Sequence, residues 1–88
     1  MKLIGNVKIT KGWETWKKSA DEGIPEMEAA GGRFIFSGCS MDESTVYAVL
    51  EVDDMEKFKA YMSNPEVNQK RLDAGVLVET TEMIPLKD

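Results

Sequence analysis

The stretch VDDMEKFKAYMSNPEV, residues 52–67, carries the clearest structural signals in the chain. The Asp53-Asp54 pair offers a helix N-cap, because a carboxylate there accepts hydrogen bonds from unpaired backbone N–H groups. Apolar residues then recur at helical spacing from Met55 to Met62. In the Asn64-Pro65 pair, the proline disfavours helix at the preceding residue but fits the first turn of a new helix. The stretch therefore predicts two consecutive helices.

A similar helical region follows the first predicted strand. Trp13, Trp16 and Ala20 fall at the i, i+3 and i+7 spacing of one helix face. This helix is expected to break before Pro25, which begins a short helix that ends at Ala30. Alternation of apolar and polar residues predicts four strands, Leu3–Thr10, Arg33–Cys39, Thr45–Val52 and Val76–Ile84, with Pro85 ending the last.

The order of these elements is strand, helix, strand, strand, helix, strand. With right-handed crossovers, this order favours the split βαβ arrangement. We therefore predict an α+β, ferredoxin-like βαββαβ sandwich with one four-stranded antiparallel sheet and both helical regions on one face. At 88 residues, the chain is expected to form a single domain, residues 1–88.

Composition limits the classes of partner. The net charge of −5 argues against nucleic acid and against anionic membranes, since both require a basic surface. No apolar run reaches the length of a membrane span, and the lone cysteine, Cys39, suits a reducing cytoplasm. The chain has no histidine, which removes the commonest general base and the usual zinc and haem ligands. We expect no metal and no cofactor.

Strand alternation predicts two apolar sheet faces rather than one. The face toward the helices is expected to include Phe34 and Phe36. An apolar patch on the opposite face, drawn from all four strands, indicates an interface, so we predict a homodimer that packs sheet to sheet. Its predicted contact residues are Ile4, Ile35, Tyr47, Val49, Leu77 and Met83.

The strand order, the two-faced strands and the stretch VDDMEKFKAYMSNPEV resemble the dimeric α+β barrel superfamily. That resemblance implies paired ferredoxin-like protomers with a ligand pocket between helices and sheet. The superfamily includes cofactor-independent antibiotic-biosynthesis-type monooxygenases, muconolactone isomerase-like enzymes, haem-handling proteins and small uncharacterised bacterial proteins, and this chain looks most like the last group. Its second helix often breaks at a Ser-Pro-Glu-His-like segment, whereas Val67 stands at the histidine position here.

Small residues on the helix-facing side of the sheet, Gly5, Ala48 and Thr80, indicate a gap beneath the helices. Such an apolar space with a few polar groups is typical of small-molecule sites. The alternative is that the surrounding large side chains fill it. The predicted ligand-binding residues are Trp13, Trp16, Phe36, Tyr61 and Met62.

Only isolated residues are candidates for catalysis. Tyr61 could donate to a substrate oxygen, or its hydroxyl could lie in water. Counting by twos from Val76 places Glu82 toward the helices, where a buried carboxylate would act as a base. A bulge would reverse that orientation. Cys39 and Met41 could offer soft ligands to copper(I), although a buried thiol is the simpler reading.

Three functions remain open. The first is a non-catalytic dimeric protein that binds a small apolar or aromatic molecule. The second is a cofactor-independent monooxygenase or isomerase that acts on a small aromatic or polyketide-like substrate. The third is a structural interaction module. The missing histidine and the lack of an acid–base pair favour the first over the second.

Overall fold

The computed structural model describes residues 1–87. The elements are β1 Lys2–Ile9, α1 Trp13–Glu22, α2 Ile24–Ala29, β2 Gly32–Cys39, β3 Thr45–Val52, α3 Met55–Met62, α4 Pro65–Asp73 and β4 Val76–Leu86. The strands form one antiparallel sheet in the order β2-β3-β1-β4, with the helices on one face. The predicted ferredoxin-like α+β sandwich is confirmed.

Both predicted helix breaks are present, and side-chain caps begin both α3 and α4. The Asp54 carboxylate accepts hydrogen bonds from the backbone N–H groups of Glu56 and Lys57 at 3.0 and 3.2 Å. Asn64 then caps α4, because its Oδ1 atom accepts from the N–H of Glu66 at 2.8 Å. These bonds satisfy donors that the first turn of a helix leaves unpaired.

Strand β4 is longer than predicted and does not end at Pro85. It continues to Leu86, and Pro85 pairs with Leu3 of β1. Strand β4 lies at the edge of the sheet, where one side has no strand partner and a residue without an N–H group is tolerated. The prediction of a strand end at Pro85 is therefore wrong.

A bulge in β2 reverses the predicted orientation of Phe36. Phe34 pairs with Leu50 and faces the helices, but the register then shifts by one residue, so that Phe36 pairs with Val49. Paired residues share a face, and Phe36 therefore points to the outer side of the sheet, where it is 65% exposed. The prediction that Phe36 faces the helices is wrong.

A larger irregularity in β4 changes two further orientations. Between the pairs Asn6–Glu82 and Lys8–Leu77, β1 has one residue and β4 has residues 78–81. As a result Met83 lies opposite Gly5 and packs against the core beneath the helices, while Glu82 is exposed. Met83 was predicted on the outer face and Glu82 on the helix-facing one, and both placements are corrected.

One cross-strand row on the helix-facing side consists mostly of small residues. Ser37, Ala48 and Gly5 are paired across β2, β3 and β1, and Met83 completes the row on β4. The next row toward the start of β1 is larger, with Phe34, Leu50, Leu3 and Pro85. Buried residues form two clusters, one that includes Leu3 and Phe58 and another that includes Val7 and Val76. The small row lies where these two clusters meet.

Candidate functional site

A cavity of about 140 Å³ lies above the small row, between the sheet and the helices. Gly5 and Ala48 line it from the sheet, because neither has a side chain long enough to reach the helices. Trp16, Tyr61 and Met62 line it from the helices, as predicted for these three residues. Its remaining apolar lining includes Met27, Phe34 and Phe58. The predicted gap beneath the helices is therefore present in the structure, and its walls are mainly apolar.

Trp16 is held in place by aromatic contacts on two sides. Its ring stacks on Trp13 with centroids 5.3 Å apart and meets Phe34 edge-on at 6.0 Å. Both arrangements are favourable for aromatic pairs. Trp13 itself does not line the cavity and packs against the second core cluster. Trp13 thus stacks on Trp16 away from the cavity wall, and a ligand contact by Trp13 stays a prediction.

Tyr61 stands at the junction of the cavity and a larger groove. That groove measures about 450 Å³, and both spaces are lined by Gly23, Tyr61, Val67 and Arg71. Burial raises the pKa of the Tyr61 phenol, and the Glu26 carboxylate raises it further. The phenol is therefore protonated at neutral pH and can donate a hydrogen bond to a bound molecule.

Arg71 lies beside Tyr61 and was missed by the sequence analysis. Its Nη2 atom donates to the Oγ1 atom of Thr81 at 2.8 Å, which ties α4 to the irregular part of β4. Burial lowers the pKa of Arg71, but arginine starts so far above neutrality that it remains a cation. Within residues 1–87 it forms no ion pair.

The sequence contained a signal for Arg71 that the sequence analysis did not use. Val67 and Ala74 are buried, and Arg71 lies between them at i+4 and i−3 on the same side of α4. A helix face marked by Val67 and Ala74 was the available indication that Arg71 points inward.

The remaining candidate residues lie outside the cavity interior. Phe36 is on the outer face of the sheet. Glu82 borders the cavity but is exposed, so the burial that the base hypothesis requires is not observed. Cys39 packs against the second core cluster, and burial raises its pKa, whereas Met41 is fully exposed. These placements give no support to a base at Glu82 or to a copper(I) pair.

Two further findings describe residues 1–87 only. No three His, Cys, Asp or Glu side chains in this part of the chain are grouped so that they could hold a metal ion. No helix in it is both long enough and apolar enough to cross a membrane.

No protein-family model and no curated protein matches the chain, but solved structures share its fold. A Chloroflexus aurantiacus protein, provisionally described as an antibiotic biosynthesis monooxygenase, is 18% identical with a TM-score of 0.62, covering 99% of this chain and 93% of that one. Protein Atu4242 from Agrobacterium tumefaciens is 16% identical with a TM-score of 0.66, covering 98% and 90%. L-rhamnose mutarotase from Formosa agariphila is 18% identical with a TM-score of 0.60, covering 100% and 94%. Such matches show a common fold, and one fold hosts many activities.

Proposed function

We propose that this protein binds a small apolar or aromatic molecule in the cavity between its helices and its sheet. The observation that carries the proposal is the cavity above Gly5 and Ala48. Its 140 Å³ is close to that of an engineered apolar cavity, about 150 Å³, that binds benzene. A ligand with one aromatic ring therefore matches the space.

The experiment is a titration followed by two-dimensional NMR with toluene and benzamide as probes. We expect progressive shifts at the backbone amides of Gly5 and Ala48 and at the indole N–H of Trp16. The amide of Met41, in the exposed turn between β2 and β3 and outside the cavity lining, serves as the internal control and should not move. Shifts spread evenly over both faces would indicate nonspecific contact and would contradict the proposal.

A second candidate function is catalysis without a cofactor, as a monooxygenase or isomerase on a small aromatic or polyketide-like substrate. The observation that favours it is the protonated Tyr61 phenol at the cavity, together with the fold shared with a provisional antibiotic biosynthesis monooxygenase. Against it, no polar or charged residue among residues 1–87 is fully buried. Oxygen uptake with single-ring phenols tests the monooxygenase function, and uptake that Tyr61→Phe does not reduce would exclude a role for the phenol.

We also propose that two copies associate through the outer face of the sheet. Ile35 and Tyr47, both predicted there, are 53% and 47% exposed, and Phe36 and Ile84 join them. Met83 does not take part, because it faces the helices. Sedimentation equilibrium should show a dimer that Phe36→Glu converts to a monomer. A wild-type monomer at micromolar concentration would contradict this interface.

A structural interaction module without ligand, the third function, predicts such a dimer with no response to any small molecule.

A further inference from the structure

We infer that the natural ligand is an aromatic monocarboxylate whose ring occupies the cavity and whose carboxylate binds Arg71. The inference rests on the proposed function, since it assumes that the cavity takes a ligand. It adds the chemical class of that ligand and names the residue that selects it.

Arg71 lies where a residue that binds the ligand's carboxylate would have to lie. Four residues line both the cavity and the groove, and Arg71 is the only charged one among them. A ring placed above Ala48 would therefore have its substituent near this guanidinium as it leaves the cavity. Tyr61, also shared by both spaces, offers a phenol O–H to the same substituent.

The charge of Arg71 lacks a complement within the described chain. It is partly buried, and its one side-chain hydrogen bond in residues 1–87 goes to the neutral hydroxyl of Thr81. By contrast, Lys70 on the same helix is paired with Glu26 at 2.9 Å. A partly buried cation is costly unless an anion and further hydrogen bonds accompany it. A ligand carboxylate would supply both.

The guanidinium keeps enough donors to hold a carboxylate. It carries five N–H donors, and the bond to Thr81 occupies only one nitrogen. The same bond holds the group beside β4, and the other nitrogens keep donors for bidentate contact with a carboxylate. The Arg71–Thr81 bond thus positions the guanidinium as well as joining α4 to β4.

The charges of the groove favour a single negative charge over several. Its lining contains three basic residues, Lys18, Lys70 and Arg71, and three acidic residues, Glu22, Glu26 and Asp73. A polyanion such as a nucleotide would meet these carboxylates as well as the cations. A monocarboxylate bound at Arg71 brings only one negative charge to the groove, so it meets less of this repulsion than a polyanion does.

The test compares benzoate with benzamide, which has nearly the same shape and no charge, by isothermal titration calorimetry. Wild-type protein is expected to bind benzoate more tightly than benzamide. Arg71→Met is expected to weaken benzoate binding by about 10- to 100-fold, because a charge-assisted hydrogen-bonded pair is lost. The same variant is expected to change benzamide binding by less than about 3-fold. Lys57→Met, which removes the same charge from an exposed site outside both spaces, is the control and should leave both affinities unchanged.

Each outcome decides between the inference and the proposed function. Equal binding of both compounds by the wild type overturns the inference and leaves the proposed function standing. Equal weakening of both by Arg71→Met shows that Arg71 only ties α4 to β4, which also overturns it. If toluene, benzamide and benzoate all fail to bind the wild type, the proposed function fails as well. If Arg71→Met does not fold, Arg71→Lys takes its place in the test. Lysine keeps the positive charge but cannot make the bidentate contact, so this variant must still weaken the binding of benzoate more than that of benzamide.

Discussion

Filling the cavity with a leucine at position 48 should stabilise the protein and prevent ligand binding. Ala48 is buried and lies opposite Gly5 and Ser37, neither of which extends far from the sheet. Leucine adds three carbons that enter the 140 Å³ space. Each buried carbon contributes about 0.8 kcal/mol, and imperfect fit offsets part of this, so Ala48→Leu is expected to raise the free energy of unfolding by about 1–2 kcal/mol.

Urea unfolding followed by circular dichroism measures this change. The corresponding rise in melting temperature is about 4–8 °C for each kcal/mol in a chain of this size. Ala60→Leu, the same substitution at an exposed position of α3, is the matched control, and its effect should stay within about 0.5 kcal/mol. In the same samples, toluene and benzamide should no longer raise the melting temperature of Ala48→Leu.

Two results would refute this reasoning in different ways. If Ala48→Leu lowers the free energy of unfolding by more than about 1 kcal/mol, the space is already filled in solution, since overpacking a dense core has that effect. If the variant is more stable and still binds the probes, the cavity exists but is not the binding site.

Three further predictions concern packing, capping and titration. Gly32→Ala should lower the free energy of unfolding by about 1–3 kcal/mol, because the added carbon would lie 2.6 Å from the ring of Phe58. Gly38→Ala, with its nearest neighbour at 3.5 Å, is the control, and equal losses would contradict the packing described. Asp54→Ala should cost about 1 kcal/mol in urea unfolding through loss of the α3 cap, whereas no change would show that the cap is dispensable. Because burial raises the pKa of folded Tyr61, its contribution to stability should be full below the unfolded pKa of about 10 and should be lost as pH rises above it. The free energy of unfolding of wild type relative to Tyr61→Phe should therefore fall as pH rises from neutral to about 11, and a difference that does not change with pH would contradict the assignment.

The order of elements could be predicted from the sequence because its signals are local. Caps at Asp54 and Asn64 and the prolines at positions 25 and 65 act within one helical turn. Strand faces up to the first bulge follow from alternation alone. Trp16, Tyr61 and Met62 were placed at the cavity because helical spacing puts them on the faces that meet the small residues of the sheet.

Phe36, Glu82 and Met83 were misplaced because bulges break the alternation. A bulge depends on which residue of the neighbouring strand is paired, and a single strand's pattern does not contain that information. Arg71 was missed for a related reason. Its value to the site depends on Thr81 and Tyr61, which are ten residues away from it along the chain in opposite directions.

The irregular part of β4, residues 78–81, controls which side chains the last part of that strand sends inward. Its hydroxyls hold it in shape, with Thr80 donating to the Leu77 carbonyl and Thr81 to the Val78 carbonyl at 2.7 Å each. If the irregular segment keeps its shape, inserting two residues before it would leave Met83 on the inward face, whereas inserting one would place Glu82 instead of Met83 opposite Gly5. The number of residues in this segment therefore decides on which face of the sheet the following side chains lie. Inserting a single residue would replace an apolar part of the cavity wall with an acidic one without altering any other strand.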